Sequence, residues 1–301
     1  FKAGTLDRYG LGYEQLKAEF PRLIYCSITG FGQTGPYAPR PGYDGLIQAM
    51  GGVMSLTGVP DGEPMKVAVP ICDLMAGMYA SVGILAAVRH QAETGEGQFI
   101  DIGMLDTHVG WLANQGMNYL ATGENPERIG NQHPNILPYQ VMPTSDGYIV
   151  LSVGNDPTFA RFCKLAECEE LLEDERFQTN AARVSNRDLV TETLNEITKK
   201  KPSEWWLENL EKEKIGSGPI NTLEQVFADP HVIAREMVIE MDHPATGSKP
   251  MKLIANPIKL SATPPTYRKP PPLLGQHTDE VLQEAGLSAD EIAKLKEDGT
   301  V

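Results

Sequence analysis

The sequence predicts an α/β fold in two domains, and three observations carry that expectation. Apolar residues in the first third alternate between helical spacing and short buried-strand runs. A polar stretch with three prolines, Gly123 to Pro138, then interrupts the pattern as an interdomain linker does. Lastly, 301 residues are enough for one large domain or two ordinary ones.

Taken in order, Leu11 to Phe20 reads as a short helix, Arg22 to Thr29 as a buried strand and Tyr43 to Leu56 as a helix. Asp73 to Ala92 follows as a long helix, Gln98 to Met104 as a strand and Leu105 to Thr122 as one further helix. Past the linker, PYQVMPTSDGYIVLSVG sets two β-prone runs about a Ser145-Asp146-Gly147 turn and predicts a hairpin. The charged segment after it is helical by pattern, with Ser185 and Asp188 resembling a capping box and Pro202-Ser203 separating two helices. From Pro219 come a short helix, strands about a Gly247 turn, the connector TPPTYRKPPP and two final helices. Thr278 is expected to cap the first of these and a Ser288 to Glu291 capping box the second. The implied domains are 1–125, a linker with a small α+β domain over 126–225, and a return to the large domain over 226–301.

Composition narrows the function. With 26 Lys and Arg against 40 Asp and Glu, the formal charge of -14 repels a phosphate backbone and argues against nucleic acid as a partner. Four cysteines without a CxxC pair suit reduced thiols in a cytoplasmic compartment and suggest no zinc site. The uncharged run Leu74 to Val88 is fifteen residues long, short of the roughly 20 that span a bilayer, so a buried core helix and no membrane are expected. The opening FKAGTLDRYG has neither an initiator Met nor a signal pattern.

Gly30 to Gly35, GFGQTG, is a literal GxGxxG after a predicted strand. A dinucleotide fingerprint needs its last glycines to open a helix. Three prolines follow instead, at Pro36, Pro39 and Pro41, so the loop is expected to serve another purpose and nicotinamide chemistry is disfavoured. Neither GxSxG, HExxH nor a Walker A motif occurs, and the six histidines do not cluster at ligand spacing. Cys72, between apolar neighbours, reads as a buried inert thiol.

Asp73 stands alone before the uncharged run. One reading makes it a helix N-cap, bonding the amides of the first turn. The other makes it a nucleophile, since a carboxylate that attacks an activated acyl group gives a reactive mixed anhydride, with glycine-loop amides as donors to the oxyanion. Ala76, Ala80, Gly83 and Ala87 form a stripe of small side chains on one helix face, suited to tight packing or to a ligand beside the carboxylate.

These residues carry a resemblance. PRLIYCSITGFGQTGPYAPRPGYDGLIQAMGG, PICDLMAGM with Asp73, TGEGQFIDIGMLD and PPLLGQHTDEVLQEAGLSADEI together resemble the class III CoA-transferases, the family of formyl-CoA and carnitine CoA-transferases, over essentially the whole chain. The resemblance implies a Rossmann-like large domain, a smaller α+β domain and an interlocked homodimer. It makes Asp73 the nucleophile that attacks an acyl-CoA thioester. The CoA thiolate leaves and returns to form an aspartyl-CoA thioester, and an acceptor carboxylate then takes over the CoA. CoA is a substrate, and the exchange calls for no metal, ATP or redox cofactor.

By the same resemblance, Phe1, Lys2 and Arg8 match a CoA-contacting segment, with the two cations toward its phosphates. Tyr43 and Asp44 match positions beside the CoA thiol, and Gly130, Asn131 and His133 a loop near the acyl pocket. A helix-start aromatic is the plainer reading of Tyr43. The partners implied are an acyl-CoA donor and a small carboxylic acid, of the dicarboxylate kind. The location is cytoplasmic, or the mitochondrial matrix if the chain is eukaryotic. Family members begin well upstream of Phe1, so an N-terminal segment is expected to precede this stretch.

The superfamily also holds α-methylacyl-CoA racemases, whose Gly-His-Asp signature supplies a histidine acid/base. Here Gly42-Tyr43-Asp44 stands in its place, and tyrosine, with a reference pKa of about 10, is a poor general base at neutral pH. A transferase is therefore favoured over a racemase, and over a non-catalytic CoA-binding protein in which Asp73 only caps a helix.

Overall fold

The computed structural model describes residues 2–301 and is a mixed α/β chain with two contact units, Phe1–Pro219 and Ile220–Val301. In the first unit a 3-10 turn, Leu6–Tyr9, leads to α1 (Tyr13–Glu19) and β1 (Tyr25–Thr29). Then come α2 (Asp44–Met50), α3 (Val53–Leu56), α4 (Ile71–Thr94), β2 (Phe99–Gly103), α5 (Met104–Gly110) and α6 (Ala113–Thr122). Strands β1 and β2 pair in parallel, Tyr25 opposite Phe99 and Thr29 opposite Gly103. The crossover between them contains α4, as parallel strands require a long connection.

Helix α4 shows why the small residues are spaced as they are. Ala76, Ala80 and Ala87 are buried, and a side chain on Gly83 would meet Ile100 Cγ2 of β2 at 3.2 Å. The stripe lets the helix lie close on the strands. The expectation of a buried core helix holds for this face alone. Leu74, Met78, Val82 and Leu85 stand exposed on the other, Leu85 at 70%. By length and composition α4 is long and apolar enough to cross a bilayer, a test that core helices also meet.

Two predicted helices are each divided. The run Tyr43 to Leu56 breaks at Gly51-Gly52, where Gly52 takes φ +92°. A Cβ on Gly51 would fall 2.2 Å from the His108 ring, so bare backbone is needed there. The run Leu105 to Thr122 breaks at Trp111-Leu112, with Ala113 at φ +46°.

The rest of the first unit is built on an antiparallel sheet, β3 (Tyr139–Pro143), β4 (Tyr148–Ser152) and β5 (Gly216–Pro219), in that order. The hairpin is as predicted; β5, all Gly, Ser and Pro, lacks the β-branched signature of a strand. Five α-helices and a 3-10 turn, Glu169–Glu173, lie between β4 and β5: α7 (Asp156–Leu165), α8 (Glu175–Gln178), α9 (Asn180–Ser185), α10 (Arg187–Thr198) and α11 (Ser203–Lys212). Their core includes Leu151, Phe159, Phe162, Leu194, Trp206 and Leu210. The capping box at Ser185 and Asp188 is not formed: Ser185 closes α9, and Asn186 alone separates it from α10.

Arg183 is 0% exposed in this core. Its Nε and Nη1 donate to the carbonyls of Leu137 and Phe177, each at 2.7 Å, and Nη2 reaches Asp156 Oδ1 at 2.8 Å. The guanidinium also lies 4.3 Å from the Phe159 ring centre.

The second unit contains α12 (Leu223–Ala228), α13 (Pro230–Ala234), the antiparallel pair β6 (Val238–Met241) and β7 (Met251–Ile254), α14 (Thr278–Glu284) and α15 (Ala289–Glu297). Gly247 turns between the strands at φ +63°. Ser288 and Glu291 form the expected capping box of α15. Thr278 opens α14 instead of capping it; His277 holds the N-cap position and its Nδ1 meets Glu280 Oε2 at 2.9 Å.

Candidate active site

The start of α4 is packed by three other sequence segments, the glycine loop, α2 and α5. Helix α4 begins at Ile71 after Pro70, so Asp73 is the third helical residue and not the N-cap. Its side chain is exposed, and the helix dipole favours its negative charge. Behind it, Phe31 of the glycine loop, Ile47 of α2, Cys72 and Ala76 of α4 and Met104 of α5 form a small apolar core.

The GFGQTG loop stays irregular, as its prolines predict. Gly30 packs backbone to backbone on Gly42, where an added Cβ would fall 2.4 Å from the Gly42 Cα. That approach brings the loop against the Gly42-Tyr43-Asp44 turn. Gln33 then fastens the loop to the strands: its N–H donates to Asp101 Oδ2 at 2.8 Å and its amide to Ser27 Oγ at 2.7 Å.

Asp44, first residue of α2, turns inward. Its Oδ1 accepts the Cys72 N–H at 2.8 Å and its Oδ2 accepts from Gln48 Nε2 at 2.7 Å. Tyr43 lies at the N-cap position of α2 and is 74% exposed. Cys72 Sγ lies 3.3 Å from His108 Nδ1. Burial first, and then the charges of Asp44 and Asp73, push this thiol up to about 12, so at neutral pH it is not a thiolate competing with Asp73.

His108 is 1% exposed, and its Nε2 has no hydrogen-bond partner among the described residues. Burial holds its pKa below the ordinary 6.5, against the opposing charge of Asp44. Below pH 6.5 the unfolded chain therefore takes up a proton that the folded one refuses, so stability falls as pH falls. Denaturation should show wild type losing stability between pH 7 and pH 5 by up to about 1.4 kcal/mol per pH unit more than His108→Gln. Parallel losses in the two proteins would refute this origin.

Of the remaining expected residues, Gly130 donates its N–H to the Gly58 carbonyl at 3.1 Å and takes φ +64°. Arg128 Nη2 reaches the Gly62 carbonyl at 2.6 Å, so this linker is tied to the loop that leads into α4. His133 stacks on Tyr139 with ring centres 5.3 Å apart, and its Nδ1 accepts the Asn135 N–H. Asn131 is exposed.

Lys2 lines a cavity of about 450 Å³ with Leu6, Asp7, Tyr13, Tyr25 and Gln33. Tyr43, Asp44 and Asp73 do not line it. Arg8 is exposed in the 3-10 turn, and the expectation for Phe1 lies outside the described residues. Among the described residues, no group of three or more His, Cys, Asp or Glu side chains is arranged to hold a metal ion. Gln48 was not anticipated, although its i, i+4 spacing from Asp44 on a helix was a usable signal.

Comparison with known proteins gives the family. The sequence profile of CoA-transferase family III matches residues 1–278. A succinate–glutarate CoA-transferase of Agrobacterium fabrum is 46% identical over 94% of this chain and 70% of its own length. The human succinyl-CoA:glutarate CoA-transferase is 39% identical over 93% of this chain and 64% of its own length. A crystal structure of a CAIB/BAIF family protein from Brucella suis superposes with TM-score 0.79 at 48% identity, covering 94% of this chain and 73% of that one. The chain thus spans roughly two thirds of the length of these curated relatives. It belongs to CoA-transferase family III.

Proposed function

We propose that the protein moves CoA from an acyl-CoA donor to a carboxylic acid acceptor, with Asp73 as the covalent nucleophile. The observation that carries this is an exposed carboxylate in the first turn of α4, at the position the resemblance assigns to the family's nucleophile. An Asp73 oxygen attacks the thioester carbonyl, the C–S bond breaks and the CoA thiolate departs, leaving an acyl-aspartyl anhydride. The thiolate attacks the aspartyl carbonyl, giving an aspartyl-CoA thioester and releasing the donor acid. The acceptor carboxylate attacks that thioester and expels the thiolate again. Thiolate attack on the acceptor's carbonyl then gives the new acyl-CoA and frees Asp73.

The glycine loop beside the α4 start suits the donors such an oxyanion needs. Tyr43 and the backbone at Asp44 are assigned to the thiol end of CoA, the Asp44 carboxylate being taken up by Cys72 and Gln48, and Lys2 and Arg8 to its phosphates. Gly130, Asn131 and His133 are assigned to the acyl pocket. The relatives' names favour short dicarboxylates as substrates. A Rossmann-like large domain and an interlocked homodimer complete the reading, the latter supported by the uncovered apolar face of α4. A cytoplasmic or mitochondrial-matrix location goes with it.

The test is to incubate the full-length protein with succinyl-CoA and a set of short dicarboxylic acids, without ATP. One new CoA ester should form for each succinate released. Bound CoA ester with no exchange would refute transfer, and deuterium wash-in at the α-carbon of a 2-methylacyl-CoA would establish a racemase instead.

A further inference from the structure

Asp73 has no hydrogen-bonding side chain fixing it among the described residues, so its aim depends on the backbone at the start of α4. That backbone is held by a polar network buried beneath it. Gln48 is 0% exposed, and its amide is fully used. Its Oε1 accepts the Val67 N–H at 2.8 Å, while Nε2 donates to Asp44 Oδ2 at 2.7 Å and to the Val67 carbonyl at 3.4 Å. Asp44 in turn accepts the N–H of Cys72, the residue before Asp73, at 2.8 Å.

One side chain thus grips both the segment entering α4 and the carboxylate that holds its first turn. A buried amide with every group satisfied specifies one geometry, because each alternative leaves a donor or acceptor unpaired in an apolar surrounding. The adjoining loop from Thr57 to Val67 is also bonded to the Gly130 linker, through Gly58.

We propose that Gln48 is a positioning residue for the transfer reaction, acting through Asp44 and Val67 to hold the first turn of α4 so that Asp73 meets the thioester. This rests on the reading of Asp73 as the nucleophile. Gln48 touches neither substrate nor reacting atoms. Its loss should therefore slow the attack step and spare CoA-ester affinity, since small misplacements of a reacting group are costly.

The experiment measures the rate of covalent adduct formation and the affinity for acyl-CoA in the full-length protein. Gln48→Glu removes both amide donors and sets two carboxylates against each other. Adduct formation should slow by about 10- to 100-fold with affinity changed less than about twofold, and amide exchange across Val67 to Asp73 should quicken. Gln48→Met, which keeps the volume and loses every hydrogen bond, serves if the charged variant does not fold.

Rescue distinguishes positioning from general support. When Asp44→Asn is added to Gln48→Glu, the amide introduced at position 44 donates to the carboxylate introduced at position 48. That carboxylate still accepts the Val67 N–H, and the side-chain oxygen kept at position 44 still accepts the Cys72 N–H. Against an Asp44→Asn background, Gln48→Glu should then cost less than about threefold, a coupling a double-mutant cycle detects. A wild-type adduct rate in folded variants, equal losses in both backgrounds, or a loss of affinity in step with rate would each overturn the proposal. Wild type forming no adduct would overturn the assignment of Asp73 itself, and the role of Gln48 with it.

Discussion

Asp73→Ala will lower CoA transfer by at least about 10³-fold, the loss typical when a covalent nucleophile is removed. The alanine has no oxygen to attack the thioester, and neighbouring groups do not substitute for it. Cys72 is adjacent, but its thiol is buried and held protonated with a pKa of about 12. Asp44 has both oxygens committed to Cys72 and Gln48. The fold itself should tolerate the change, because Asp73 is exposed and the cost is confined to about 0.3–1 kcal/mol of lost interaction with the helix dipole. Thermal unfolding and a transfer assay on the same preparation separate the two effects. Loss of activity together with a collapse in stability would mean that Asp73 is structural.

Arg183→Leu will cost about 3–5 kcal/mol of stability, chiefly because two buried carbonyls lose their donor at about 1–3 kcal/mol each. The arginine fork serves three acceptors at once, so its removal strands the carbonyls of Leu137 and Phe177 in the core. A drop in Tm on the order of 10 °C is expected for a unit of this size. Asp156→Asn should cost less than about 1 kcal/mol, because that partner is half exposed and the two carbonyl bonds survive. If the two variants were equally unstable, the ion pair and not the carbonyl contacts would be the essential part. Urea titration of both variants gives the answer.

The contrast between these residues explains what could be read from sequence. Helix α4, strands β1 and β2 and the β3–β4 hairpin announce themselves by local period and turn residues, and the small-residue stripe foretells the close packing of α4. Local pattern missed the breaks at Gly51-Gly52 and Trp111-Leu112. The first is set by His108, which fills the space beside Gly51 from 57 residues further along the chain. It missed β5 as well, whose strand character comes entirely from pairing with β4. Asp73 stood out because it was a lone charge before an uncharged run. Gln48 and Arg183 did not, since their roles depend on partners 19 and 46 residues away in sequence. A faint sign was there for Arg183, which lies in helical register with the buried Val190, Leu194 and Ile197.

The most direct test of the central claim is intact-protein mass spectrometry after mixing the full-length protein with succinyl-CoA, followed by peptide mapping. A covalent adduct on the peptide bearing Asp73, released by hydroxylamine and absent from Asp73→Ala, is the predicted result. CoA ester bound tightly with no adduct at any residue, or an adduct carried by Cys72, would contradict it.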